Sequence, residues 1–114
     1  MKQHLLRIFF FAAILFATNK SQAQYVTIPD TNFVQWLYNN GYASCMNGNM
    51  MDTTCSAVVI ATSEDCSFSN ISDLTGIQYF DNLKYLYCNN NQLTSLPAWP
   101  NLLAWIHCQF NQLT

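Results

Sequence analysis

Apolar residues in the C-terminal half recur at a fixed spacing. Leu83, Leu86, Cys88 and Leu93 return as Leu103, Ile106, Cys108 and Leu113, a constant offset of 20 residues, and Asn91 returns as Asn111. A looser copy precedes them, Cys66-x-x-Ser69-x-Ile71-x-x-Leu74-x-x-Ile77-x-x-Phe80, with 22 residues from Cys66 to Cys88. A period in this range predicts stacked coils, each burying its apolar face against the next. Within each coil the alternation predicts a short strand, at 86–88 and again at 106–108, with Leu86, Cys88, Ile106 and Cys108 turned inward. Leu93, Leu96 and Leu113 are expected to fill the rest of the coil interior. Asn91 and Asn111 are expected to bond backbone groups of adjacent coils and so satisfy buried polar atoms.

The segment before the repeat follows a different rhythm. Phe33, Trp36 and Leu37 stand at i, i+3 and i+4, which predicts a helix from about Thr31 to Asn39 with one apolar stripe. Asp30 is placed to cap its first free amides, and Gly41 suits the left-handed position that ends it. Gln24 to Ile28 predicts a short extended segment. Tyr42 to Thr54 is polar and loop-like, and Ser56 to Ile60 is apolar enough for a strand or a buried segment.

The motifs Ile71-Ser-Asp-Leu74-Thr-Gly-Ile77 and Leu86-Tyr-Cys88-Asn-Asn-Asn91-Gln-Leu93-Thr-Ser-Leu96-Pro97 resemble those of bacterial secreted leucine-rich repeat proteins. The likeness is to exported members common in Bacteroidetes, and more distantly to the internalins. Ile28-Pro-Asp-Thr-Asn-Phe33 resembles the start of the N-terminal cap in that group. The resemblance implies an α/β solenoid: a leucine-rich repeat with short parallel strands on its concave face, preceded by a small helical cap. On this reading residues 24–62 form the cap, with a Cys-flanked loop at 45–55. Residues 63–114 form the repeats, the last of them truncated. The chain departs from the pattern at Glu64, where the later coils carry Leu86 and Ile106, and at Ser69, where they carry asparagine.

Residues 1–23 have the layout of a secretory signal peptide. Lys2, His4 and Arg7 form a basic start, Ile8 to Ala17 is an unbroken apolar run, and Ser21-Gln-Ala23 offers small residues for cleavage. The apolar run is about half the ~20 residues a membrane span needs. A secreted or cell-surface location follows, with no transmembrane span once the leader is removed. Cleavage also changes the charge: Lys84 alone then faces six carboxylates, a formal net charge of −5 against −2 for the whole chain. Phosphate binding needs lysine and arginine to displace counterions. A chain with one lysine and no arginine is therefore expected to bind no nucleic acid.

Five cysteines in an exported chain invite a disulfide reading. Cys45 and Cys55 bracket the polar loop, where a staple adds most, and are expected to pair. Cys66, Cys88 and Cys108 recur with the repeat and are expected to be free thiols packed as small hydrophobes. His107 and Cys108 should face opposite sides of one strand, no second histidine lies beyond the leader, and Gly41, Gly48 and Gly76 build no phosphate loop. No cofactor, metal site or catalytic constellation is expected.

The outward positions carry the candidate chemistry. Tyr85, Tyr87, Asn89 and Asn90 in one coil are matched by Trp105, His107, Gln109 and Phe110 in the next. Aromatic side chains are enriched in interface hot spots, so the expected function is non-catalytic binding of a protein or glycan in an adaptor or adhesion role. Two alternatives stay open. The rings could stack only on one another to stabilise the sheet, leaving a structural spacer, or the module could be the targeting arm of a longer secreted enzyme.

Overall fold

The computed structural model describes residues 23–114; the expected signal peptide falls, but for Ala23, outside the described residues. The element order is β1 (Tyr25–Thr27), α1 (Thr31–Asn39), a 3-10 turn (Ala43–Cys45), β2 (Met46–Asn47), β3 (Met50–Asp52), α2 (Ser56–Ile60), β4 (Ser63–Asp65), a second 3-10 turn (Ile77–Tyr79), β5 (Tyr85–Tyr87) and β6 (Trp105–His107). They make two three-stranded sheets, one antiparallel in the order β1-β3-β2 and one parallel in the order β4-β5-β6.

The expected repeat solenoid is overturned by this topology. The described chain is a small α/β unit whose N-terminal half is an antiparallel sheet with a helix, and only three short strands stack in parallel. A solenoid builds its core by adding like units, each resting on its neighbour. Here a single hydrophobic cluster runs from Ile28, Phe33, Leu37 and Met51 through Ile71, Leu74, Phe80 and Leu83 to Leu86, Cys88 and Leu93. The third strand closes no further interior: Ile106 and Cys108 are half-buried and Leu113 is exposed, against the expectation that all three face a core.

The helix forms where the apolar stripe placed it. Asp30 Oδ1 accepts from the amides of Asn32 and Phe33, both at 2.9 Å, and Phe33, Val34, Trp36 and Leu37 are buried. The second carboxylate oxygen of Asp30 accepts from the amides of Ser72 at 2.8 Å and Asp73 at 3.0 Å. One side chain thus caps a helix and ties it to a turn 42 residues further on. Asp73 in turn accepts from the Thr75 amide at 2.8 Å and hydroxyl at 2.6 Å.

Residues 42–54 are more ordered than their polar composition suggested. Met46↔Met51 and Asn47↔Met50 pair as a hairpin around Gly48-Asn49. Gly48, at φ 59°, supplies the positive angle that two-residue loops need. Met51 alone of its strand is fully buried, which sets the register. The segment Ser56–Ile60 is a helical turn and a half, not a strand: Cys55 is its N-cap and only Val58 is buried. A five-residue apolar run does not separate the two by period alone. The disulfide Cys45–Cys55, Cα–Cα 5.5 Å, joins the first 3-10 turn to that helix and encloses the hairpin.

An aromatic chain runs from α1 to the end of the second 3-10 turn. Phe33 packs on Trp36 (centroids 6.0 Å), Trp36 on Tyr42 (5.9 Å), and Tyr42 edge-on to Phe80 (5.3 Å). Trp36 Nε1 donates to the carbonyl of Asp65 on β4 at 3.1 Å. Gly76 allows the closest approach. Its φ is 118°, and a Cβ there would lie 2.3 Å from Ile28 Cδ1. No helix among the described residues is long and apolar enough to cross a membrane.

Candidate functional site

The parallel sheet brings the outward residues of three rows together. Ser63, Tyr85 and Trp105 are in register, as are Asp65, Tyr87 and His107. The ladder continues past the strands, with Phe68 N donating to Asn89 O at 3.2 Å and Asn90 N to Gln109 O at 3.0 Å. These two bonds make Phe68, Asn90 and Phe110 equivalent positions. Ser63, Asp65 and Phe68 were not singled out from the sequence, because the first row reads as a degenerate copy. Aligning Cys66 on Cys88 and Cys108 is the signal that finds them.

The inward side explains why the rows hold. Asn91 is buried and fully used. Its Oδ1 accepts from the amides of Ser69 and Ile71, both at 3.0 Å, and its Nδ2 donates to the carbonyls of Cys66 at 2.9 Å and Cys88 at 3.0 Å. Asn111 repeats this one row on, accepting from Leu93 N and donating to the carbonyls of Cys88 and Cys108, all at 3.0 Å. Two asparagines therefore stitch β4 to β5 and β5 to β6. Cys66, Cys88 and Cys108 are free. Burial pushes the Cys66 thiol well up, and pushes Cys88 up to about 12, so both stay protonated and unreactive.

Glu64 occupies the inward position in register with Leu86 and Ile106. It is half-buried, and the phenol of Tyr42 donates to its carboxylate. Burial raises the Glu64 carboxyl above its ordinary value, opposed by that hydrogen bond. Burial, reinforced by Glu64, raises the Tyr42 phenol further still. This carboxyl belongs to the seam between α1 and the parallel sheet and not to the outward face.

On the outward face Tyr85 is 48% exposed and Trp105 56% exposed. The Tyr87 and His107 rings stack at 4.9 Å and 17°, and Trp105 leans on His107 at 5.7 Å. The expected pairing of Tyr87 with His107 is thus a ring contact, whereas Tyr85 and Trp105 are in register and keep about half their surface open. Gln109 Nε2 lies 3.2 Å from His107 Nδ1. Asn89 Nδ2 donates to Asn90 Oδ1 at 2.8 Å. Asp65 Oδ1 accepts from the Ser67 amide at 3.0 Å and hydroxyl at 2.5 Å. The face offers rings, amides, hydroxyls and one carboxylate. Among the described residues no three His, Cys, Asp or Glu side chains are grouped to hold a metal ion.

Protein-family models, curated proteins and solved structures contain no match to this chain.

Proposed function

We propose that this chain is a non-catalytic recognition module, exported to the cell surface or beyond, that binds a protein or glycan through the outward face of its parallel sheet. The observation that carries the reading is the exposure of Tyr85 and Trp105 in register on adjacent strands, beside the Tyr87–His107 stack. Large exposed aromatics gathered on one face are the material of interfaces. The Cys45–Cys55 disulfide suits an oxidising compartment. The charge narrows the partner: beyond the expected leader, one lysine against six carboxylates favours neutral or basic ligands over polyanions.

The test uses the exported protein, immobilised and screened against a random 12-residue peptide display library and an array of neutral oligosaccharides. The double variant Tyr85→Ala/Trp105→Ala serves as the counter-screen. Ligands that bind the native protein should lose tenfold or more in affinity for the variant, whose thermal unfolding should shift little. Absence of any ligand, or ligands held equally by both proteins, favours the spacer reading.

A further inference from the structure

No aspartate, glutamate, lysine or arginine occurs between Tyr85 and Thr114, a stretch that holds β5, β6 and most of the outward face. His107 is the only histidine among the described residues. Histidine is the side chain that ordinarily gains its charge between about pH 5 and pH 8, so His107 governs the charge of that stretch near neutrality. Its ring is not a free surface group. Tyr87 stacks on it at 4.9 Å and 17°, and Trp105 leans on it at 5.7 Å and 44°. Both ring centroids fall within the ~6 Å at which a cation is drawn to an aromatic face. Its Nδ1 lies 3.2 Å from Gln109 Nε2, on an exposed side chain.

We propose that His107 is a proton switch on the outward face: on mild acidification it charges within the stack, draws Tyr87 and Trp105 against it, and turns the Gln109 amide over. The faces of the Tyr87 and Trp105 rings carry partial negative charge and attract an imidazolium more than a neutral imidazole. An imidazolium donates from both nitrogens, so the Gln109 amide, whose nitrogen faces Nδ1, must present its oxygen instead. Asp65 on β4 stands in the same register line, two strand spacings or about 10 Å away, and adds a weak attraction of the same sign. Lys84, just before β5, is exposed and opposes the charge only through solvent. Lost hydration also opposes it, but His107 keeps part of its surface in water. The ring attraction therefore sets the direction, and an exposed pair of this kind is worth about two- to fivefold in an equilibrium. At neutral pH β5 and β6 present rings and amides alone. At mildly acidic pH they present a cation between two rings, and β6 is held more firmly on β5. The switch shares its face with the proposed recognition site and needs no ligand to operate.

The β6 row reports the effect. Ile106 and Cys108 are half-buried and Leu113 is exposed, so this row opens ahead of the rest of the sheet. The amides of Trp105 and Cys88 donate between β5 and β6, to Lys84 O at 3.0 Å and His107 O at 2.8 Å. The Cys66 amide donates between β4 and β5, to Tyr87 O at 2.8 Å. The test is hydrogen-exchange protection of these amides, measured by NMR on the exported protein at about pH 7.5 and about pH 5.5, on either side of the ordinary histidine range. Protection at Trp105 and Cys88, relative to Cys66, should rise about two- to fivefold at the lower pH. The gain is present while the ring is charged and is lost as the pH rises. The side-chain amide signals of Gln109 should shift over the same range as the His107 ring signals. His107→Phe keeps a ring in the stack and cannot charge, so its protection ratio should not change with pH. Tyr87→Leu keeps the histidine and removes the ring stacked on it, so its rise should be smaller than in the native protein.

A protection ratio in the native protein that is equal at the two pH values would overturn the switch. So would a fall on acidification, which would show that the charged ring loosens the stack. A rise retained in His107→Phe would assign the effect to the β4 carboxylates of Glu64 and Asp65. A rise retained in full in Tyr87→Leu would make His107 an ordinary surface charge, and Gln109 signals that ignore the His107 titration would remove the amide's part. None of these outcomes depends on the ligand screen, whose failure would leave the switch standing.

Discussion

The two sheets are held by opposite means. The antiparallel sheet and its helix depend on long-range links at a few points: the Cys45–Cys55 disulfide, the Asp30 carboxylate, and a hairpin turned by Gly48. The parallel sheet has no covalent link and very short strands. It depends on one device used twice, an asparagine that satisfies backbone groups of two rows at once. The first region is specified residue by residue and left little periodic trace. The second is specified by repetition and announces itself at a glance. The comparison teaches that a visible period reports how neighbouring segments pair, and not how far the pairing extends.

The sharpest way to break the comparison is at Asn91. Alanine there strands the amides of Ser69 and Ile71 and the carbonyl of Cys66, each costing about 1–3 kcal/mol unsatisfied, while the Cys88 carbonyl keeps Asn111. We expect Asn91→Ala to lose about 4 kcal/mol in urea unfolding, enough to remove much of a small domain's stability. Asn111→Ala, in a half-buried setting at the edge row, should lose about half as much. Equal losses would mean that burial does not grade the ladder, and a loss under about 1 kcal/mol at Asn91 would show that water replaces it.

Next in size is the disulfide. Closing a ten-residue loop restricts the unfolded chain by about 3 kcal/mol. The paired change Cys45→Ser/Cys55→Ser should lower stability by that amount. Because one hydrophobic cluster joins both sheets, the loss should appear together in hydrogen exchange of the hairpin amides and of the β5 amides. Loosening confined to the hairpin would show that the parallel sheet stands by itself.

The smallest effect sits on the seam between the regions. Burial raises the Glu64 carboxyl in the folded protein, so its contribution to stability is full below the unfolded value and is lost as pH rises through the folded value. Glu64→Gln cannot ionise and keeps an acceptor for the Tyr42 phenol. The variant should therefore melt higher than the native protein at pH 7, with the gap closing as the pH falls below the ordinary glutamate range. A gap that is independent of pH would mean that folding leaves the Glu64 carboxyl unshifted, and a variant less stable at neutral pH would mean that the charged form of the Tyr42–Glu64 pair is the favoured one.

Much of the local structure was legible from residue order. The helix bounds, the Asp30 cap, the left-handed Gly41, the paired and unpaired cysteines and the asparagine ladder all follow from short-range rules and are seen as expected. The β2-β3 hairpin was not read, although Asn47-Gly48 between methionines marks it. Only one of its strands has a fully buried residue, so its alternation is faint. The helical turn at Ser56–Ile60 was missed because a short apolar run has no period. On the candidate face, Tyr85, Tyr87, Trp105 and His107 were placed by alternation, but Phe68 was hidden by the divergence of its row.

The sequence by itself determined which residues pair across neighbouring rows, because a strand's alternation and a repeat's offset are local properties of the chain. It also determined the charge of the molecule and the pairing that its cysteines favour. Only the tertiary structure decided that the three described strands merge into one core with the antiparallel half of the chain. Where a core closes depends on long-range contacts such as Asp30 to Ser72, Trp36 to Asp65 and Tyr42 to Glu64. None of these leaves a mark in any short window.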